Sequence, residues 1–134
     1  MVRVEHIGIA VKELSKVNAL YSKLFGQEAY KLEKVDTESV ETSFFKIGET
    51  KIEFLESDNP ESAISKYISK KGEGIHHIAF EVDDIFAEIA RLKDEGFQII
   101  NPEPKRGADN KLVCFIHPKT TNGVLVELCQ EIKT

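Results

Sequence analysis

Two cysteines in 134 residues, Cys114 and Cys129, stand inside strand-like runs without C-x-x-C spacing, which argues against a disulfide framework or a structural zinc knot. No stretch approaches the ~20 apolar residues of a membrane span. The opening Met1-Val-Arg-Val-Glu-His-Ile-Gly-Ile-Ala-Val11 is broken by Glu and His and makes no signal h-region. A Lys/Arg-rich stripe is missing too. Eighteen basic against 23 acidic residues leave a net charge of −5 and a pI of 5.4, so neither nucleic acid nor an anionic membrane surface is an expected partner. A reducing cytoplasm is the expected location.

What is present suffices for a single domain over 1–134. Apolar residues at 41% and charged residues at 31% set the chain apart from a disordered one and leave enough Ile, Leu, Val and Phe for a core. Alternation predicts a strand over 2–11, and a helical pattern over 14–25 closes at Gly26. Strand-like runs follow at 28–35, 40–47 and 51–55, with a turn at Gly48-Glu49. The order then repeats: a strand over 75–82, a helix over 85–92 stopped at Gly96, and strands over 97–100, 112–116 and 124–129.

A β-α-β-β-β unit is therefore written twice, as module one at about 1–56 and module two at about 75–134, joined by a linker with a short helix over 57–74. The residues support the duplication. His6-Ile-Gly-Ile-Ala-Val11 matches His77-Ile-Ala-Phe-Glu-Val82 at an offset of 71, and Lys51-Ile-Glu-Phe-Leu55 matches Leu125-Val-Glu-Leu-Cys129 at an offset of 74. The extra residues fall in the turn around Thr120-Thr-Asn-Gly123, where insertion is tolerated.

Strand parity then assigns faces. Ile7, Ile9 and Val11 take the helix-covered face of the first strand and leave His6 on the other. Ile52 and Phe54 leave Glu53 there, Ile78 and Phe80 leave His77, and Val126 and Leu128 leave Glu127. His76 has the opposite parity from His77 and reads as a packed or hydrogen-bonded histidine, and His117 reads as part of a turn. Two His and two Glu on one face form a donor set suited to a divalent metal ion. Zn²⁺, Co²⁺, Ni²⁺, Mn²⁺ and Mg²⁺ all remain open.

These residues resemble the vicinal oxygen chelate superfamily, which includes glyoxalases, bleomycin resistance proteins and dioxygenases. The resemblance covers essentially the whole chain. It implies an α+β fold in which two tandem βαβββ modules form a curved, cup-like, eight-stranded mixed sheet with helices on its convex face. It also implies a metal held by His6, Glu53, His77 and Glu127, and a homodimer. Within the superfamily, Val4-Glu-His-Ile-Gly-Ile-Ala-Val11, Gly74-Ile-His-His-Ile-Ala-Phe-Glu-Val-Asp-Asp84, and Phe115-Ile-His-Pro-Lys119 with Gly123-Val-Leu-Val-Glu-Leu128 resemble the methylmalonyl-CoA epimerases. One departure is Asn110, at a place where those epimerases often carry a second Gly.

That likeness implies a small-molecule thioester substrate and loss of a C2 proton to give a metal-stabilised enolate, with proton return on the opposite face. The bases it implies are Glu127 and Glu41, with Glu38 close by. Lys105, Arg106, Lys111 and Lys119 are the candidate cations for the substrate's phosphates. A glyoxalase I (lactoylglutathione lyase) acting on the methylglyoxal-glutathione hemithioacetal is the alternative enzyme, and a non-catalytic small-molecule binder is the alternative outside catalysis.

Overall fold

The computed structural model describes residues 1–36 and 39–133; Glu38 lies outside the described residues. In chain order the elements are β1 (Arg3–Ala10), α1 (Leu14–Phe25), β2 (Lys31–Val35), β3 (Val40–Ile47), β4 (Thr50–Glu56), α2 (Ala63–Lys71), β5 (Gly74–Glu81), α3 (Ile85–Asp94), β6 (Lys105–Gly107), β7 (Lys111–Ile116) and β8 (Val126–Glu131). The strands hydrogen-bond in the order β2-β3-β4-β1-β5-β8-β7-β6. The sheet is mixed, since β5 and β8 run parallel while β7 and β8 run antiparallel. The fold is α+β, as the repeated pattern predicts.

The chain divides into two compact units, one of Ile7–His76 and one of Met1–His6 with the chain from His77 onward. In the Ile7–His76 unit, α1 turns Leu14, Val17, Tyr21 and Phe25 onto Ile9, Val11, Phe45 and Phe54. This is helical spacing meeting period-2 spacing, and it closes a core of aromatic and branched side chains. Gly26 ends the helix in the left-handed region at φ 70°, where its N–H donates to Ser22. On the opposite face α2 packs Ile64, Tyr67 and Ile68 against Ala10, Val40 and Leu55. Ser62 caps α2 by accepting the Ser65 N–H at 3.1 Å.

In the other unit, α3 lays Ile85, Ile89 and Leu92 over Val82, Cys114, Ile116 and Leu128. Asp84 caps it by accepting the Ala87 N–H at 3.1 Å. The opposite face of this sheet carries a smaller cluster of Ala79, Val113 and Cys129.

The sequence repeat reappears as a repeat of hydrogen bonds. The Val11 N–H donates to the Leu55 carbonyl and the Val82 N–H to the Cys129 carbonyl, each at 2.9 Å. The Leu14 N–H donates to Glu56 Oε1 at 2.6 Å, and the Ile85 N–H to Gln130 Oε1 at 2.7 Å. In both comparisons the donors differ by 71 positions (85 − 14) and the acceptors by 74 (130 − 56), the offsets read from the motifs.

One strand is misplaced by the sequence pattern. Residues 97–100 do not form the first closing strand of module two; that ladder is β6, Lys105–Gly107, paired with β7. The Phe97-Gln-Ile-Ile100 run makes a single bridge, Ile99 to Ile116. Beyond it Asn101 Oδ1 accepts the Phe115 N–H at 2.9 Å, where a strand carbonyl would continue the ladder. Pro102 and Pro104 then supply no donors.

Candidate metal centre

Three neighbouring strands, β1, β5 and β8, supply His6, His77 and Glu127. Their side chains are 7%, 5% and 7% exposed. Packing explains their direction: Phe80, Val126 and Leu128 are drawn beneath α3, so alternation puts His77 and Glu127 on the face of Ala79 and Cys129. His6 Nε2 and His77 Nε2 are 3.0 Å apart. Glu127 Oε1 lies 3.1 Å from His77 Nε2 and 3.5 Å from His6 Nε2. The two imidazole rings meet edge to face at 5.1 Å and 87°, and the Phe115 ring stands edge-on to His77 at 5.8 Å.

These separations test whether the residues fit a metal. Donors about 2.1 Å from a common ion and about 90–110° apart stand ~3.0–3.4 Å from one another, and the distances of 3.0, 3.1 and 3.5 Å lie in or just above that range. Two neutral nitrogens and one carboxylate oxygen, all buried, suit a borderline divalent ion. Burial by itself raises the pKa of the Glu127 carboxyl. With no ion bound, the neighbouring imidazoles of His6 and His77 outweigh it and hold Glu127 well below the usual carboxylate range. The group is an anion facing two imidazoles.

Glu53 belongs to the Ile7–His76 unit, where it is buried on β4 with Phe44 as its register partner. Glu41 is misassigned by the sequence reading. On β3 it alternates with Thr42 and Phe44 and shares the face of Ser43 and Phe45, which meet α1 through Asn18 and Phe25, and its side chain is exposed. The β3 residues on the face of Glu53 and Leu55 are Phe44 and Thr42.

The four candidate cations separate as well. Register puts Lys105 opposite Val113 and Lys111 on the same β7 face as Val113 and Phe115, the face of Glu127. Arg106 pairs with Leu112 on the α3 face and donates to Asn110 Oδ1 at 3.2 Å, while Lys119 lies in the turn beyond the far end of β7. Lys111 is 8% exposed and the other three are exposed. Asn110 adopts φ 54°, the conformation a Gly would take, and its amide donates to the Ile132 carbonyl at 3.2 Å. His76 packs edge-on to Tyr67 at 4.9 Å, and His117 Nδ1 accepts the Lys119 N–H at 3.0 Å within its turn.

Two residues of the centre escape sequence reasoning. Phe115 carries the right parity, but aromatic strand residues are routinely core. Glu5 has the wrong parity for the His6 face, yet it is 1% exposed and its Oε1 lies 2.7 Å from His6 Nδ1. The available signal was a carboxylate directly preceding the histidine.

A buried His-His-Glu group on three adjacent strands of a duplicated β-α-β-β-β chain defines a recognisable class of protein. The chain belongs to the Glyoxalase/Bleomycin resistance protein/Dioxygenase superfamily, whose pattern matches residues 5–115. Its relatives include methylmalonyl-CoA epimerases. The ethylmalonyl-CoA/methylmalonyl-CoA epimerase of Cereibacter sphaeroides is 40% identical over 130 residues, covering 96% of this chain and 97% of that one. The mitochondrial methylmalonyl-CoA epimerase of Dictyostelium discoideum is 40% identical over 127 residues, covering 94% and 76%. A solved structure of Streptomyces coelicolor methylmalonyl-CoA epimerase in complex with 2-nitronate-propionyl-CoA superposes with a TM-score of 0.94 at 34% identity, covering 100% of this chain and 97% of that one.

Proposed function

We propose that the protein catalyses the metal-dependent epimerisation of methylmalonyl-CoA at C2. The observation that carries this reading is the buried His6, His77 and Glu127 group, set in a chain whose relatives bear that activity. His6 Nε2, His77 Nε2 and Glu127 Oε1 would hold the divalent ion, and the family resemblance adds Glu53 to the donor set. When bound, the ion supplies positive charge to the substrate oxygens and lowers the cost of removing the proton between a thioester and a carboxylate. The chain's own contribution is the geometry of the donors, the exclusion of water from them and a base.

Glu127 is that base. Its carboxylate lies among the donors and can accept the C2 proton at an oxygen. Glu41 stands on the α1 face and takes no part; the proton that completes the inversion reaches the opposite face of C2 from water. Lys105 and Lys111, on the Glu127 face of β6 and β7, are the preferred partners for the substrate's phosphates.

Incubating Co²⁺-loaded protein with one epimer in deuterated water tests the reading. Epimerisation with deuterium entering at C2 is expected, and the absence of both would overturn it. Glu127→Gln should lower both rates by about 10²-fold or more, whereas Glu41→Gln should leave both within about twofold. Turnover of the methylglyoxal-glutathione hemithioacetal with no action on the CoA ester would instead place the chain among the glyoxalases.

A further inference from the structure

Glu5 is among the most deeply buried side chains of the molecule, and the mechanism above gives it no task. A carboxylate with 1% exposure costs several kcal/mol unless it is paired. One partner is the ring of the next residue: Glu5 Oε1 lies 2.7 Å from His6 Nδ1. Neighbouring residues of a strand point to opposite faces, so this contact needs the Glu5 side chain to fold back around β1. Cys129 closes the same corner, with Glu5, His6 and Cys129 offering donor atoms within 4.8 Å of one another. The Cys129 thiol donates to the Phe80 carbonyl at 3.6 Å.

We infer that Glu5 is a positioning residue that fixes the tautomer and the rotation of His6. An ionised carboxylate can only accept, so His6 must carry its proton on Nδ1 and donate it to Glu5. Nε2 then presents a lone pair, and it is Nε2 that stands 3.0 Å from His77 Nε2 and 3.5 Å from Glu127 Oε1. Without Glu5 the ring could carry its proton on Nε2, the nitrogen that must be bare to bind an ion, and it could rotate about the Cβ–Cγ bond. The short 2.7 Å contact raises the basicity of Nε2 as well. This inference rests on the metal reading of His6, His77 and Glu127.

The test uses the metal-free and Co²⁺-titrated full chain, wild type against Glu5→Gln and Glu5→Ala. Long-range ¹H–¹⁵N spectra of the metal-free protein should show His6 as the Nδ1–H tautomer in the wild type. That population should shift toward Nε2–H in Glu5→Ala. Co²⁺ affinity, read by titration calorimetry and the visible spectrum, should fall about 10–100-fold in Glu5→Ala and by less in Glu5→Gln, which keeps an accepting oxygen. Glu5→Gln decides the matter if the alanine variant does not fold. Wild-type affinity and an unchanged tautomer in the variants would overturn the positioning role while leaving the metal site standing. A Co²⁺–thiolate band that disappears in Cys129→Ala would overturn it too, by making the Glu5 corner a site of its own. Failure of the wild type to bind Co²⁺, Ni²⁺ or Zn²⁺ would instead overturn the metal reading, and the Nδ1–H measurement would still stand or fall by itself.

Discussion

Thr42 and Glu41 are separated by one peptide bond and by the whole thickness of a sheet. Glu41 is exposed on the α1 side, while Thr42 is 1% exposed and its hydroxyl finds no hydrogen-bond partner among the described residues. An unpaired buried hydroxyl costs about 1–3 kcal/mol, so Thr42→Val should stabilise the protein by about 1 kcal/mol in urea unfolding. A loss of that size would mean that the hydroxyl is paired. The shared face of His6, His77 and Glu127 is legible because alternate apolar residues of their strands are drawn to a helix, which fixes the direction of the rest. Glu5 is not, since its burial depends on β8 supplying Cys129 from 124 positions further along the chain. The face of Glu41 does not follow from a family likeness, because a shift of one residue along a strand exchanges the faces.

At the level of elements, the two halves use one wiring scheme with different chemistry. The first N–H of α1 is held by a carboxylate, Glu56, and the first N–H of α3 by an amide, Gln130. The Asp84 cap should matter in proportion: Asp84→Ala should cost about 1 kcal/mol by loss of its bond to Ala87, measured as a fall in urea midpoint at unchanged slope. The helix and strand order can be read from periodicity because most elements of both halves bury one face. The bounds of α1 and β3 follow directly from their apolar spacing. The first closing strand of module two could not be read this way. Phe97, Ile99 and Ile100 look like a strand, but the Asn101 side chain takes the next ladder donor and two prolines follow. The pairing resumes at Lys105-Arg-Gly107, whose polar residues carry no strand pattern.

For the molecule as a whole, the net charge of −5 counts Glu53 and Glu127 as one negative charge each. A bound divalent ion would reduce the magnitude to about 3, so added Co²⁺, Ni²⁺ or Zn²⁺ should raise the melting temperature by mass action. No helix among the described residues is long and apolar enough to cross a membrane. Both cysteines are fully buried, and burial together with the charge on Glu127 pushes the Cys114 thiol up to about 11. A thiol two units above its ordinary value has about 100-fold less thiolate near pH 8. Cys114 and Cys129 should therefore resist aromatic disulfide reagents in the folded protein and react promptly in denaturant; rapid labelling without denaturant would contradict the packing.

Those thiols also have a consequence for watching the chain unfold. Both lie in the unit that holds His77 and Glu127, whereas the three tyrosines, Tyr21, Tyr30 and Tyr67, all lie in the Ile7–His76 unit, and there is no tryptophan to mask them. Tyrosine emission and thiol labelling thus observe different units of an unmodified polypeptide. Coincident denaturation curves from the two signals would establish a single cooperative transition, and separated curves would give each unit its own stability without a label being introduced.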